Sequence, residues 1–200
     1  MRIANPDLQH RRRLEIISAA EQCFLKRGFH QTSMQNIAAA SGLSMGLLYR
    51  YFANKEAIIE AVAQQDQEAS LAAIFELPLT GDVIGAWVSL LIDMASLASS
   101  PDYAGLANEI LAEANRSPKI LKILQANDAA LISAIADKLA DQQRLDAIEI
   151  SFGLEKAAHT MLLLFEGLTM RRFMTPPEWC QNNRQLMELM ISSILTHSKR

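Results

Sequence analysis

The chain has 200 residues, half of them hydrophobic and 20% charged, a balance that excludes a disordered segment. Its formal net charge of -3 argues, taken whole, against a nucleic-acid binder. The longest apolar runs, Leu71–Phe75 and Met161–Phe165, are far shorter than the roughly 20 residues of a membrane span, and the N-terminus lacks a signal-peptide stretch.

Eight glycines, six prolines and the absence of strand-like alternation predict an all-α chain of about nine helices. Leu14, Ile17, Ala20 and Phe24 mark a first helix that stops at Gly28. The run Arg11-Arg12-Arg13 precedes it as a basic arm, either solvated or laid against a nucleic-acid backbone. Thr32-Ser33 caps a short second helix, with Gln35 completing a capping box from Thr32, and Ser41-Gly42 ends it. Ser44 caps a third helix to about Phe52, and Asn54 caps a longer one through about Phe75. Pro78, Thr80 and Gly81 break the pattern.

The later helices carry broader apolar stripes. Ile84, Trp87, Val88, Leu91 and Met94 form one, and Pro101 and Pro118 each sit where a helix begins. Ile120, Leu124, Leu131, Ile135 and Leu139 mark a long helix, and Asp141–Ile150 starts as a loop. Leu154–Met174 and Trp179–Thr196 are the last two predicted helices, separated by Pro176-Pro177.

The charge is uneven. The first 60 residues hold eight basic and five acidic side chains, and the other 140 hold 11 and 17. A positive head joined to a negative body suggests separate tasks. Cys23 and Cys180 are isolated and imply no disulfide framework, so a reducing cytoplasm is the expected compartment. His10, His30, His159 and His197 lack metal-ligand spacing, and no HExxH, GxSxG, GxGxxG or P-loop is present. Neither an enzyme nor a bound cofactor or metal is expected.

Thr32–Lys55 reads as two short capped helices across a Ser-Gly-Leu turn, the helix-turn-helix arrangement whose second helix enters a major groove. Ile37, Leu43, Leu48 and Phe52 pack the pair together, leaving Met45, Gly46, Leu47, Tyr49 and Arg50 toward the outside. Tyr49 and Tyr51 can donate to phosphates, and Lys55 in the first turn of the next helix suits an anion. Gly46 allows close backbone approach. Ordinary packing is the alternative reading of the same pattern.

Arg11–Ile59 resembles the DNA-binding domain of the TetR family of bacterial transcriptional regulators. The likeness rests on Ala19, Ala20 and Phe24, Gly28-Phe29, Thr32-Ser33, Ile37-Ala38, Gly42-Leu43-Ser44, and Leu48-Tyr49 with Tyr51-Phe52 and Asn54-Lys55. It implies a DNA-binding domain over residues 1–55 and a helical ligand-binding and dimerisation domain over 56–200. It implies that Ser33 grips a phosphate, Gln35 reads a base edge, Ser44 caps the recognition helix, and Tyr49, Tyr51 and Lys55 contact phosphates. Met45 and Leu47 depart from the polar readers usual at their positions, which leaves Arg50 as the charged groove contact.

A homodimer on a palindromic DNA operator follows from the resemblance, with Ala157, Met161, Leu164, Leu168, Leu186, Met190 and Ile194 as interface candidates. So does a small-molecule effector, apolar or amphipathic, held near Trp87, Met94, Tyr103, Asn108, Phe152, His159 and Phe165. The rival reading is a helical small-molecule-binding protein with no role at DNA.

Overall fold

The computed structural model describes residues 6–98, 101–171, 174, 176 and 178–197. Among them are ten helices: α1 (Pro6–Arg27), α2 (Met34–Ser41), α3 (Met45–Tyr51), α4 (Lys55–Phe75), α5 (Val83–Ala98), α6 (Pro101–Ala114), α7 (Pro118–Arg144), α8 (Leu154–Arg171), α9 (Trp179–Asn182) and α10 (Arg184–Ser192). The all-α expectation holds, apart from one antiparallel pair of two-residue strands, β1 (Ile148–Glu149) and β2 (Thr196–His197). The predicted closing helix is broken at Asn183 into α9 and α10.

The chain divides into two compact units. The first is the chain up to Asp66 together with Gly105–Gln125, and the second is Gln67–Ala104 with everything from Ala126 on. A division at residue 55 therefore leaves out the start of α4 and the 105–125 segment, both of which join the first unit.

The first unit closes around Ile16, Ile17, Ala20 and Phe24 of α1, Ile37 of α2, Leu48 of α3 and Ile58 and Ile59 of α4. Ile110, Ala114 and Ile120 complete this core from the later segment. The inward stripe of α1 begins at Ile16, and Leu14 is 40% exposed. Upstream of it α1 continues back to Pro6, so Arg11–Arg13 lie within the helix and not on an arm ahead of it. Proline suits a first helical position and arginine is a strong helix former. Arg12 pairs with Glu15 at 2.7 Å, and the Arg13 guanidinium stacks 4.5 Å from the centre of the Phe52 ring. The arm reading is corrected accordingly.

In the second unit α5 is the central element. Its Val83, Trp87, Val88 and Leu91 are buried together with Leu139, Ala157, Ala158, Met187 and Ile191. The buried polar side chain here, Gln142, accepts from Trp87 Nε1 at 3.0 Å and donates to Pro78 O at 2.7 Å. Both ends of its amide are satisfied, as burial requires. Lys138 donates to Phe75 O at 2.7 Å and Leu77 O at 3.0 Å, capping the carbonyls left open where α4 ends.

Candidate nucleic-acid interface

The helix-turn-helix is built by local chemistry. α2 starts at Ser33, whose Oγ accepts from Asn36 N at 3.2 Å while Asn36 Oδ1 accepts from Ser33 N at 2.9 Å. This is a capping box one residue later than the predicted Thr32–Gln35 pair. Thr32 is instead buried, its hydroxyl directed at Gly28 O and Cys23 O at 2.9 and 3.1 Å. Gln35 is left exposed on the outer surface of α2.

α2 ends at Gly42, which adopts φ 67°, ψ 21° and donates its N–H back to Ala39 O. This left-handed residue makes the turn between the helices. Because the left-handed region costs an L-residue about 1–2 kcal/mol, Gly42→Ala is expected to destabilise the first unit by about that much. A chemical denaturation midpoint measures it. Ser44 then caps α3, accepting from Leu47 N at 3.3 Å, and Asn54 Oδ1 caps α4 by accepting from Ala57 N at 2.8 Å. Both caps stand where the sequence places them.

α3 presents two distinct faces. Leu48 is fully buried, and Met45 and Tyr51 pack partly against the same core. The opposite face carries Gly46, Tyr49 and Arg50, all exposed, with Leu47 half-buried beside them. The outward set is therefore narrower than expected, because Met45 and Tyr51 also serve the core. A Cβ added at Gly46 would meet nothing within 4 Å. Nothing inside the chain requires glycine at this second position of α3. Arg50→Ala is expected to leave thermal stability unchanged. It should reduce the slope of log affinity against log salt by about 1 per subunit, as measured by fluorescence anisotropy across a salt series.

Lys55 is placed differently from the sequence expectation. Its ammonium turns back onto the α1–α2 turn, donating to Phe29 O at 2.5 Å, Thr32 O at 2.9 Å and His30 O at 3.4 Å. It also lies 4.1 Å from the centre of the Phe29 ring. Burial lowers its pKa, and the charges of Glu56 and Glu113 oppose that shift. A cation gains little at the start of α4 but binds the converging carbonyls of the turn that follows α1. Its direct partners within the chain are thus backbone oxygens, a turn-holding role that the sequence reading of Lys55 as a phosphate contact does not include.

With this geometry the family comparisons agree. Residues 16–62 match the profile of "Bacterial regulatory proteins, tetR family". The chain is 33% identical over 153 residues to the HTH-type transcriptional regulator UidR of Escherichia coli K12, covering 76% of each protein. The chain belongs to the TetR family. It is thus a DNA-binding transcriptional regulator and not an enzyme. It is also 25% identical over 167 residues to the HTH-type transcriptional repressor AcnR of Corynebacterium jeikeium, covering 84% of each. The solved structure of Salmonella enterica GusR superposes with a TM-score of 0.79 at 27% identity, covering 96% of this chain and 98% of that one.

The second unit of this TetR-family chain contains a cavity of about 60 Å³. Ser70 and Ile74 of α4, Trp87 and Met94 of α5, Ile135 of α7, and Met161 and Phe165 of α8 are among its walls. Trp87, Met94 and Phe165, expected beside an effector, are among these walls. Phe152 is 37% exposed in the bend before α8, and His159 is exposed on α8. Asn108 is exposed and belongs to the first unit. None of these three lines the cavity, and the Tyr103 side chain lies outside the described residues. The missed lining residues are plain aliphatics such as Leu90 and Leu131. No sequence signal separates them from core.

The interface candidates also change. Ala157, Met161, Leu168 and Ile194 are 0–7% exposed, buried within the second core. Leu164 and Met190 pack partly against that core, and Leu186 is 37% exposed. The apolar side chains that α8 and α10 turn to solvent are Leu163 at 65%, Met170 at 54% and Leu189 at 68%. Apolar residues occupy more than one face of α8, and the stripe of Ala157, Met161 and Leu168 is the one that closes the core. Among the described residues, no group of acidic, cysteine and histidine side chains could hold a metal, and no helix is long and apolar enough to cross a membrane.

Proposed function

We propose that the protein represses transcription as a homodimer on a palindromic operator and is released by a small apolar molecule. The exposed face of α3, with Gly46, Tyr49 and Arg50 opposite a buried Leu48, is the observation that carries DNA recognition. Gln35 and Ser33 extend it along α2, for a base edge and a phosphate respectively. Ser44 fixes the start of α3, while Met45, Leu47 and Tyr51 flank the reading surface. Repression is supported by the similarity to AcnR.

Two-fold symmetry lets two such faces meet half-sites one helical turn apart. Leu163, Met170, Leu186 and Leu189 supply the apolar surface for pairing. The effector reading rests on the cavity. Its Trp87 N–H is already engaged by Gln142, and Ser70 is the polar side chain among its walls. Charged ligands would be buried there without partners, so an uncharged molecule fits best. The cavity has room for roughly four to six water-sized groups. A larger effector must displace wall residues, among them Ile74 near the end of α4. α4 begins beside the helix-turn-helix with Ile58 and Ile59 in the first core, so its movement links effector to DNA.

The deciding experiment is fluorescence anisotropy with a duplex carrying the region upstream of the protein's own gene, against a scrambled duplex of equal length. Selective, salt-dependent binding is expected. Equal binding to both duplexes would sink this reading and leave the rival, a ligand-binding protein with no role at DNA.

A further inference from the structure

The turn between α1 and α2, which sets the start of the DNA-contacting pair, is held by side chains from far along the chain. Glu109 Oε2 of α6 accepts from Phe29 N at 2.7 Å. Glu113, one turn later on α6, places Oε2 3.0 Å from His30 Nε2. Its side chain is only 10% exposed, whereas that of His30 is 58% exposed. Among the described residues, Glu113 Oε2 is buried with no hydrogen bond beyond this contact. Arg116 Nη1 lies 2.8 Å from the same nitrogen, His30 Nε2. Lys55 approaches from α4 and donates to the His30 carbonyl. The charged groups around this histidine are therefore Glu109, Glu113, Arg116 and Lys55, all within the first unit.

One ring nitrogen cannot serve both neighbours at once. As N–H it donates to the Glu113 carboxylate. As a lone pair it accepts from Arg116. A protonated ring has only the first choice, which sets its charge against the Glu113 carboxylate. A neutral ring divides between the two. Histidine is the side chain that normally changes charge between about pH 5 and 8.

We propose that Glu113 is a positioning residue for DNA recognition, holding the α1–α2 turn through His30, and that Arg116 competes for the ring once it is neutral. Glu109 anchors the same turn through a backbone N–H and so does not depend on the His30 ring. DNA affinity therefore follows which of Glu113 and Arg116 holds the ring. The proposal rests on α2 and α3 being the DNA-contacting helices.

The test compares wild type, Glu113→Gln and Arg116→Met, all full-length, at about pH 6 and pH 8, the range in which histidine changes charge. Circular dichroism confirms that each variant is folded. Two readouts are taken: anisotropy on the upstream duplex, and hydrogen exchange of the Phe29–Asn36 amides corrected for intrinsic rates. Wild-type affinity is expected to fall about threefold to fivefold over that interval, the range a one-side-exposed ion pair supports, with reduced protection of the turn. Glu113→Gln should be nearly flat in both readouts. Arg116→Met should flatten the profile by keeping the ring on Glu113 at high pH, a result that general destabilisation does not produce. Parallel pH responses in wild type and Glu113→Gln overturn the proposal, as does an Arg116→Met profile as steep as wild type. If the exchange response appears but no duplex binds selectively, the DNA reading has failed and the claim on affinity with it.

Discussion

Lys55→Met is expected to lower the stability of the first unit by about 2–4 kcal/mol, because hydrogen bonds from a charged donor are worth about 1.5–3 kcal/mol each and this donor is partly solvated. Methionine keeps most of the stem and removes the ammonium, so Phe29 O and Thr32 O lose their 2.5 and 2.9 Å donor while little packing changes. Loss of the cation over the Phe29 ring adds about 0.5–1 kcal/mol. Native domains are stable by only about 5–15 kcal/mol, so the unfolded fraction of this unit rises steeply. DNA affinity should fall with it, since Ser33 and α2 begin at this turn. The salt slope separates the two roles of the lysine. A phosphate contact would lose about 1 from the slope per subunit and leave the melting temperature alone. A turn-holding lysine loses melting temperature and keeps the slope. Lys55→Arg sharpens the contrast. A guanidinium satisfies a phosphate well but cannot direct compact donors at carbonyls that converge on one point. Arginine should therefore fail to restore stability, and recovery of wild-type melting by Lys55→Arg would count against the turn-holding role.

What the sequence makes legible in this fold is what lies within four residues of its cause. Ser44 and Asn54 cap α3 and α4 as expected because the acceptor and its N–H are local. Gly28 and Gly42 stop α1 and α2 because a left-handed residue is needed there, at φ 76° and 67°. The capping box at Ser33–Asn36 is missed by one residue, since Thr32 and Ser33 are chemically alike and only burial separates them. Contacts far apart in the chain are invisible to periodicity. Lys55 meets carbonyls 23 to 26 residues earlier, and Glu109 meets Phe29 across 80. The same limit explains the second unit. Apolar residues on α8 repeat at helical spacing on more than one face, and packing against α5 decides which of them become core. The charge split survives the structure in a changed form. The arginines of α1 sit on a helix, where Arg12 is paired and Arg13 stacked, while Arg50 of α3 lies on the exposed reading face.

The double substitution Leu163→Glu with Leu189→Glu is expected to convert the protein to a folded monomer in sedimentation and to weaken operator binding by about 10²–10⁴-fold. Both leucines are about two-thirds exposed in the single chain, so replacing them removes no internal contact of consequence. Exposed substitutions away from the core usually change stability by no more than about 0.5 kcal/mol. Burial of each leucine against a partner is worth about 1.5–3 kcal/mol, and two-fold symmetry counts every one twice. Glutamates at these sites also face like charges across the axis. The loss at DNA is large because the second reading head binds at an effective concentration set by the first. A monomer keeps the α3 face intact, so it should retain weak binding to a single half-site with about half the salt slope. That residual binding distinguishes a lost dimer from a damaged head. Retained dimer mass with unchanged operator affinity would show that α8 and α10 pair through another surface.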